Sequence, residues 1–172
     1  VLREKAEFTS AVPDRTVEGF QEAGIEFLEG QARFLDRGTL AVGEQRIEAP
    51  FFIVATGARP MPLPFAGAEL LLTSDQWLEL ETLPERLIYV GGGFIAFEFA
   101  HFGVRLGPEG ARAIILEVAD RPLGPFDAEM VELLVEASRE AGIEVHSGVQ
   151  IASVEKAPTG FRLHTRAGQV FA

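Results

Sequence analysis

The run Leu87-Ile-Tyr-Val-Gly91-Gly92-Gly93-Phe94-Ile95-Ala96-Phe-Glu98 constrains this chain more than any other stretch, because it reads as strand, tight turn and helix in succession. A β-rich apolar run, Leu87 to Val90, enters Gly91-x-Gly93-x-x-Ala96, and an apolar helix leaves it. Gly91 permits the tight turn, Gly93 lets the backbone approach a pyrophosphate, and Ala96 allows close packing of helix on strand. The helix N-terminus directs free N–H groups and a partial positive charge at the same point. A second strand, Ala113-Ile-Ile-Leu116, ends on Glu117. A carboxylate there accepts hydrogen bonds from an adenosine ribose, although its distance from the turn exceeds the usual spacing of about 20 residues. The bland alternative is a glycine turn in an α/β protein that takes no ligand.

Charge and composition narrow the partners. The 172 residues carry a formal net charge of −11, which argues against nucleic acid, since that ligand rewards clustered Lys and Arg. No apolar run approaches the roughly 18 residues of a membrane span and no signal peptide is visible, so a cytoplasmic protein is expected. The sequence contains no cysteine, which leaves no disulfide, thiolate metal site or thiol nucleophile within it. His101, His146 and His164 are scattered and lack metal-ligand spacing, so no metal site is expected.

One supersecondary unit occurs twice. Glu22-Ala-Gly24-Ile-Glu26 returns as Glu140-Ala-Gly142-Ile-Glu144, each glycine standing where a helix ends in a left-handed residue. In the second copy Asp127 is the expected N-cap, with Met130, Leu133, Leu134 and Ala137 on one helix face. Each helix should lead to a short strand and then to a three-run antiparallel meander. The first meander comprises Ala32-Arg-Phe-Leu, Thr39-Leu-Ala-Val and Gln45-Arg-Ile-Glu; the second comprises Ile151-Ala-Ser-Val-Glu, Gly160-Phe-Arg-Leu-His-Thr and Gln169-Val-Phe. The first copy then closes with an expected buried strand, Phe51-Phe-Ile-Val-Ala55-Thr56-Gly57, for which the second copy has no counterpart. The first copy in turn lacks the glycine turn of the second. These asymmetries suggest an internal fragment, truncated at both ends. Residues 1–60 would be the last part of the first segment of one nucleotide-binding domain, 61–83 a proline-stiffened connection, and 84–172 a second such domain lacking its last strand. A short helix is expected near Ser74 to Leu80, capped by Thr73 or Ser74.

Taken in order, Phe52-Ile-Val-Ala-Thr-Gly-Ala-Arg-Pro60, Leu72-Thr-Ser-Asp75, Leu83-Pro84, the Gly91–Glu98 block and Ala141-Gly-Ile-Glu144 resemble the FAD-dependent pyridine nucleotide-disulfide oxidoreductases. Dihydrolipoamide dehydrogenase, glutathione reductase and mercuric reductase are members. The resemblance implies an α/β fold: Rossmann-like, three-layer FAD- and NAD(P)-binding domains with a central parallel sheet and an antiparallel β-meander. It implies that Gly91, Gly92, Gly93, Phe94, Ile95 and Ala96 hold the pyrophosphate of a nicotinamide dinucleotide. Phe94 matches a bulky position that in some relatives covers the nicotinamide side of the flavin, though it reads equally well as core. Glu98 matches a carboxylate near the nicotinamide ring, and as a charge on an apolar helix it needs a partner or a polar site. Glu117 would bind ribose hydroxyls and repel a 2′-phosphate, favouring NAD, whereas nearby Arg121 offers an alternative in which NADP is accommodated. Ile151 matches a backbone contact to the adenosine end. Ala55, Thr56 and Gly57 match the segment that returns the chain to the flavin domain beside FAD, or form a simple turn.

The resemblance further implies an enzyme in the intact protein, moving a hydride between nicotinamide and flavin and passing electrons to a small-molecule disulfide or other acceptor. It implies a homodimer formed through a C-terminal domain outside this stretch, and it assigns no catalytic residue here. The fragment would supply the nicotinamide platform without turnover of its own. Two alternatives stay open: an NADH oxidase or ferredoxin-reductase-type flavoprotein without a redox disulfide, and a non-catalytic nucleotide-binding module.

Overall fold

The computed structural model describes residues 2–172, and these separate into two units, Val1–Arg59 and Pro60–Ala172. The first unit opens with helices α1 (Leu2–Thr9) and α2 (Val12–Glu22), followed by strands β1 (Ala32–Phe34), β2 (Thr39–Val42) and β3 (Gln45–Glu48). Those strands form an antiparallel sheet in chain order, with Leu40 opposite Phe34 on one side and Ile47 on the other. Helix α2 ends at Gly24, whose φ of 72° is the left-handed conformation expected of it. The turn is closed by Gly24 N–H on Gln21 O (3.0 Å) and Ile25 N–H on Phe20 O (2.8 Å).

Two expectations for this unit fail. Ile25 and Glu26 form no strand, and neither does 51–57, which is irregular. Phe51 and Ile53 stand almost fully exposed, at 87% and 94%. An apolar run becomes a strand only when a neighbour accepts its backbone hydrogen bonds, and among the described residues no strand pairs with this one, although the Phe52 ring packs edge-on against Phe34 of β1.

The second unit is layered. A 3₁₀ turn (Ala68–Leu70) and helix α3 (Ser74–Leu78) precede β4 (Arg86–Val90), α4 (Phe94–Leu106), β5 (Arg112–Leu116), α5 (Ala128–Glu140) and β6 (Ile143–His146). A meander follows: β7 (Ile151–Lys156), β8 (Phe161–Thr165) and β9 (Val170–Phe171). Strands β4, β5 and β6 form a parallel sheet in that order, while β7, β8 and β9 pair antiparallel. Alternation along β5 sends its side chains to two cores. Ala113 and Ile115 face the helices, packing with Phe97, Ala100, Val131 and Ile143. Leu116 joins Val149, Val154 and Leu163 on the meander side, against which Ile114 also packs. Helices, parallel sheet and meander are thus the three layers expected, with the glycine turn at the carboxyl end of β4.

Local signals place the helices well. Thr73 caps α3 in a reciprocal box, its hydroxyl accepting from Gln76 N–H while the Gln76 side-chain Oε1 accepts from Thr73 N–H (2.9 Å). Asp127 caps α5 by accepting from Met130 N–H at 3.1 Å. The buried face of α5, however, is Val131, Val135 and Ser138 rather than Met130, Leu133, Leu134 and Ala137. Both sets have helical spacing, and Ser138, fully buried, is the member that periodicity of apolar residues overlooks. Its hydroxyl donates to Leu134 O (2.7 Å) and lies 3.1 Å from His101 Nε2 on α4, so it ties the two helices.

Ala96 packs against the core on the sheet side of α4, and Gly103 is a second point of close approach. A Cβ at Gly103 would run into Leu87 Cδ1. Tyr89 then reaches past it to donate its hydroxyl to Phe99 O at 2.8 Å. Burial holds that phenol well above its ordinary pKa.

Candidate functional site

The glycine turn is gripped from the next strand crossover. Gly91, at φ 104°, donates its N–H to Leu116 O (2.8 Å), extending the pairing of β4 with β5 into the turn. Glu117, immediately after β5, accepts from Gly92 N–H through Oε2 at 2.6 Å and from Ala119 N–H through Oε1 at 2.7 Å. Gly92 O in turn accepts from Leu123 N–H (2.9 Å). The whole Gly92 peptide is therefore fixed on both sides. Gly92 is buried, and a Cβ on it would lie 2.9 Å from Glu117 Cβ, Glu117 Oε2 and Pro122 Cβ. That contact gives the middle glycine a steric reason to be there that the motif itself does not state.

Beyond the grip, Gly93 is the N-cap of α4 with extended backbone and no side-chain cap. The N–H groups of Gly93, Phe94 and Ile95 have no acceptor among the described residues, as the first turn of a helix leaves them. Such a terminus suits an anion.

The loop from Glu117 to Asp127 is braced by Arg121. Its guanidinium donates to Gly124 O (2.6 Å) and Phe126 O (3.0 Å). The bracing helps hold Leu123 in a left-handed conformation (φ 51°), rare for a leucine and required here to bring its N–H onto Gly92. Nothing in the local sequence announces that role of Leu123.

Two cavities flank the turn, both within the second unit. One, of about 420 Å³, runs between Gly91, Val118, Val149, Ile151, Phe65 and Arg166. The other, of about 570 Å³, lies between α4 and α5 and is lined by Phe94, Phe97, Glu98, His101, Phe126 and Met130 among others. Glu98 is exposed on the rim of this second cavity, with Phe94 one turn before it, 56% exposed. The structure thus brings Gly91 and Ile151 together on one cavity, and Phe94 and Glu98 on the other, while Gly92 and Glu117 line neither. Ala55, Thr56 and Gly57 lie in the first unit's exposed irregular stretch and line neither cavity. Val118, Gln150 and Arg166, which line the first cavity, went unremarked in the sequence; only the position of Val118 one residue after Glu117 hints at it.

The histidines serve local contacts: His101 with Ser138, His146 with Glu144 (3.2 Å) and His164 with Glu155 (3.0 Å). Among the described residues no group of three or more His, Cys, Asp or Glu side chains is placed to hold a metal, and no helix is long and apolar enough to cross a membrane.

A parallel sheet covered by helices on one face and a meander on the other, with a glycine turn at a strand's carboxyl end, defines a three-layer Rossmann-like α/β protein. Solved structures share that fold. A HOCl-induced flavoprotein disulfide reductase, RclA, from Escherichia coli superposes with a TM-score of 0.86 at 21% identity, covering 99% of this chain and 40% of that one. LpdA from Mycobacterium tuberculosis gives 0.80 at 22%, covering 99% and 39%. Among curated proteins, a glutathione reductase of Burkholderia cepacia is 35% identical over 136 residues, covering 79% of this chain and 30% of that protein. A dihydrolipoyl dehydrogenase 2 of Haloarcula marismortui is 32% identical over 155 residues, covering 84% and 32%. The family model for pyridine nucleotide-disulphide oxidoreductase matches residues 3–172, and the chain belongs to that family. It spans about a third of the length of the curated relatives it matches.

Proposed function

We propose that this chain carries the nicotinamide-dinucleotide platform of a FAD-dependent oxidoreductase, and that its second unit binds NAD in preference to NADP. The observation that carries the reading is the position of Glu117. Its carboxylate sits against the glycine turn with one backbone N–H on each oxygen. Each oxygen has a second lone pair left for a ribose hydroxyl, and the negative charge opposes a 2′-phosphate. Arg121, the cation that would favour NADP, already spends two of its donors on the carbonyls of its own loop.

In this reading the amides at Gly93, Phe94 and Ile95 take the pyrophosphate, with Gly91, Gly92 and Ala96 shaping the turn around it. The adenosine end lies in the cavity beside Ile151, and the nicotinamide end lies toward Phe94 and Glu98. A bound nicotinamide supplies hydride chemistry; this chain's residues orient it and exclude water. Residues 1–60 would belong to a flavin domain, with Ala55, Thr56 and Gly57 beside FAD, 61–83 to the connection, and 84–172 to the nucleotide domain. The FAD assignment is supported by membership of the family. A small-molecule disulfide or other electron acceptor, and a homodimer, complete the proposal for the whole protein.

The test is calorimetric titration of the chain with NADH and NADPH at matched ionic strength. Tighter NADH binding is expected, with Glu117→Ala weakening it by roughly tenfold or more, as for a lost charged hydrogen bond. Tighter NADPH binding would overturn the NAD assignment; absence of binding to either would overturn the platform itself.

A further inference from the structure

The cavity beside Gly91 has a cation that the dinucleotide reading has not used. Its walls are apolar (Leu63, Phe65, Val118, Val149 and Ile151), and Arg166 is the one charged residue on its lining. The Arg166 guanidinium has no hydrogen-bond or ion-pair partner among the described residues, in a chain with an excess of acidic groups.

Its backbone, by contrast, is firmly held. Arg166 follows buried Thr165 at the end of β8. Thr165 N–H donates to Gln169 O (2.9 Å), Thr165 Oγ1 accepts from Gln169 N–H (3.0 Å), and Gly168 N–H donates to Thr165 O (3.1 Å). Arg166 N–H itself donates to Gln150 O at 2.8 Å, which fixes the turn to the residue preceding Ile151. A rigid turn therefore presents an unpartnered guanidinium at the mouth of an apolar slot. The group is planar, donates only and stacks on π-faces. A phosphate matches the slot poorly, since its lining is apolar apart from Gln150 and Arg166 and the α4 N-terminus follows Gly91 closely in the chain to take that charge. A flat heteroaromatic ring with acceptor nitrogens matches both the walls and the cation.

We propose that Arg166 contacts the purine base of the bound dinucleotide, covering it as a cation–π lid and setting affinity at the adenosine end. This inference rests on the dinucleotide reading of the same cavity, and its test separates the two. The chain and its Arg166→Ala and Arg166→Lys variants are titrated with NADH, AMP and reduced nicotinamide mononucleotide at two salt concentrations. The exposed position of Arg166 leaves the fold intact, which thermal melting checks.

Arg166→Ala should weaken NADH and AMP by the same factor, roughly three- to thirtyfold, with the mononucleotide unchanged. Lys should restore little, because a point charge lacks the stacking plane. Unchanged NADH and AMP affinities in Arg166→Ala would overturn the proposal alone. So would full rescue by Lys together with a steeper salt dependence, which would mark a phosphate contact. If the unsubstituted chain binds neither NADH nor AMP, the dinucleotide reading fails and the proposal with it.

Discussion

Two apolar runs of similar composition meet opposite fates in this chain. Ala113-Ile-Ile-Leu116 is the central strand of a parallel sheet, with Ala113 and Ile115 fully buried, whereas Phe51-Phe-Ile-Val54 is irregular, with Phe51, Ile53 and Val54 exposed. The difference is not in β-propensity, since both are rich in β-branched or aromatic residues. It lies in neighbours: β5 has β4 and β6 on its two sides, a helix layer on one face and a meander on the other. Hydrophobicity makes burial favourable, but only paired backbone groups make a strand of it.

The contrast can be tested most directly at Ile115 and Ile53. Ile115→Ala should destabilise the second unit by about 2–5 kcal/mol, as large-to-small changes in a packed core do. Ile53→Ala should change stability by less than about 0.5 kcal/mol. Chemical denaturation of both variants measures this, and equal costs would mean that 51–54 is buried in solution.

A smaller effect separates the two repeated turns. Gly142→Ala, at φ 88°, should cost about 1–2 kcal/mol, the usual penalty of a left-handed residue with a Cβ. Gly24→Ala should cost less, because α2 has no buried residue to hold the turn in place and can fray instead. Melting curves showing the reverse order would remove burial as the distinguishing factor.

The smallest effect is pH-dependent. Burial, and then the nearby charge of Arg105, hold the His101 pKa below its ordinary value of 6.5. The unfolded chain therefore takes the proton first as the pH falls. The associated stability is complete above pH 6.5 and is lost as the pH drops toward the lowered value. His101→Gln should flatten the difference in melting temperature between pH 7.5 and 5.5, and an unaltered slope would clear His101 of the effect.

Much of this architecture was legible in residues whose information is local. The six meander runs, the left-handed glycines and the caps at Thr73 and Asp127 each depend on a few consecutive residues, and all stand where the pattern put them. The family motifs were equally local. Less legible were features that depend on contacts across the fold. Ser138 turns α5 by pairing with His101, Gly103 yields space to Leu87, and Leu123 adopts a strained backbone to hold Gly92. None of these has a signature within its own segment. The proposed site divides similarly: Gly91, Gly93 and Glu117 stand out in the sequence, whereas Arg166 comes to the cavity from a turn 75 residues after Gly91 in the numbering.

The double duty proposed for Glu117 carries a lesson for anyone redesigning coenzyme choice. Exchanging an acidic residue at this position for a basic one is the obvious way to invite a phosphorylated ribose. Here the same carboxylate is the latch of the glycine turn, so the exchange would release the Gly92 amide while introducing the new charge. On that proposal, selectivity and loop architecture are inherited together. A successful conversion would have to supply a replacement acceptor for that amide before altering what the pocket prefers.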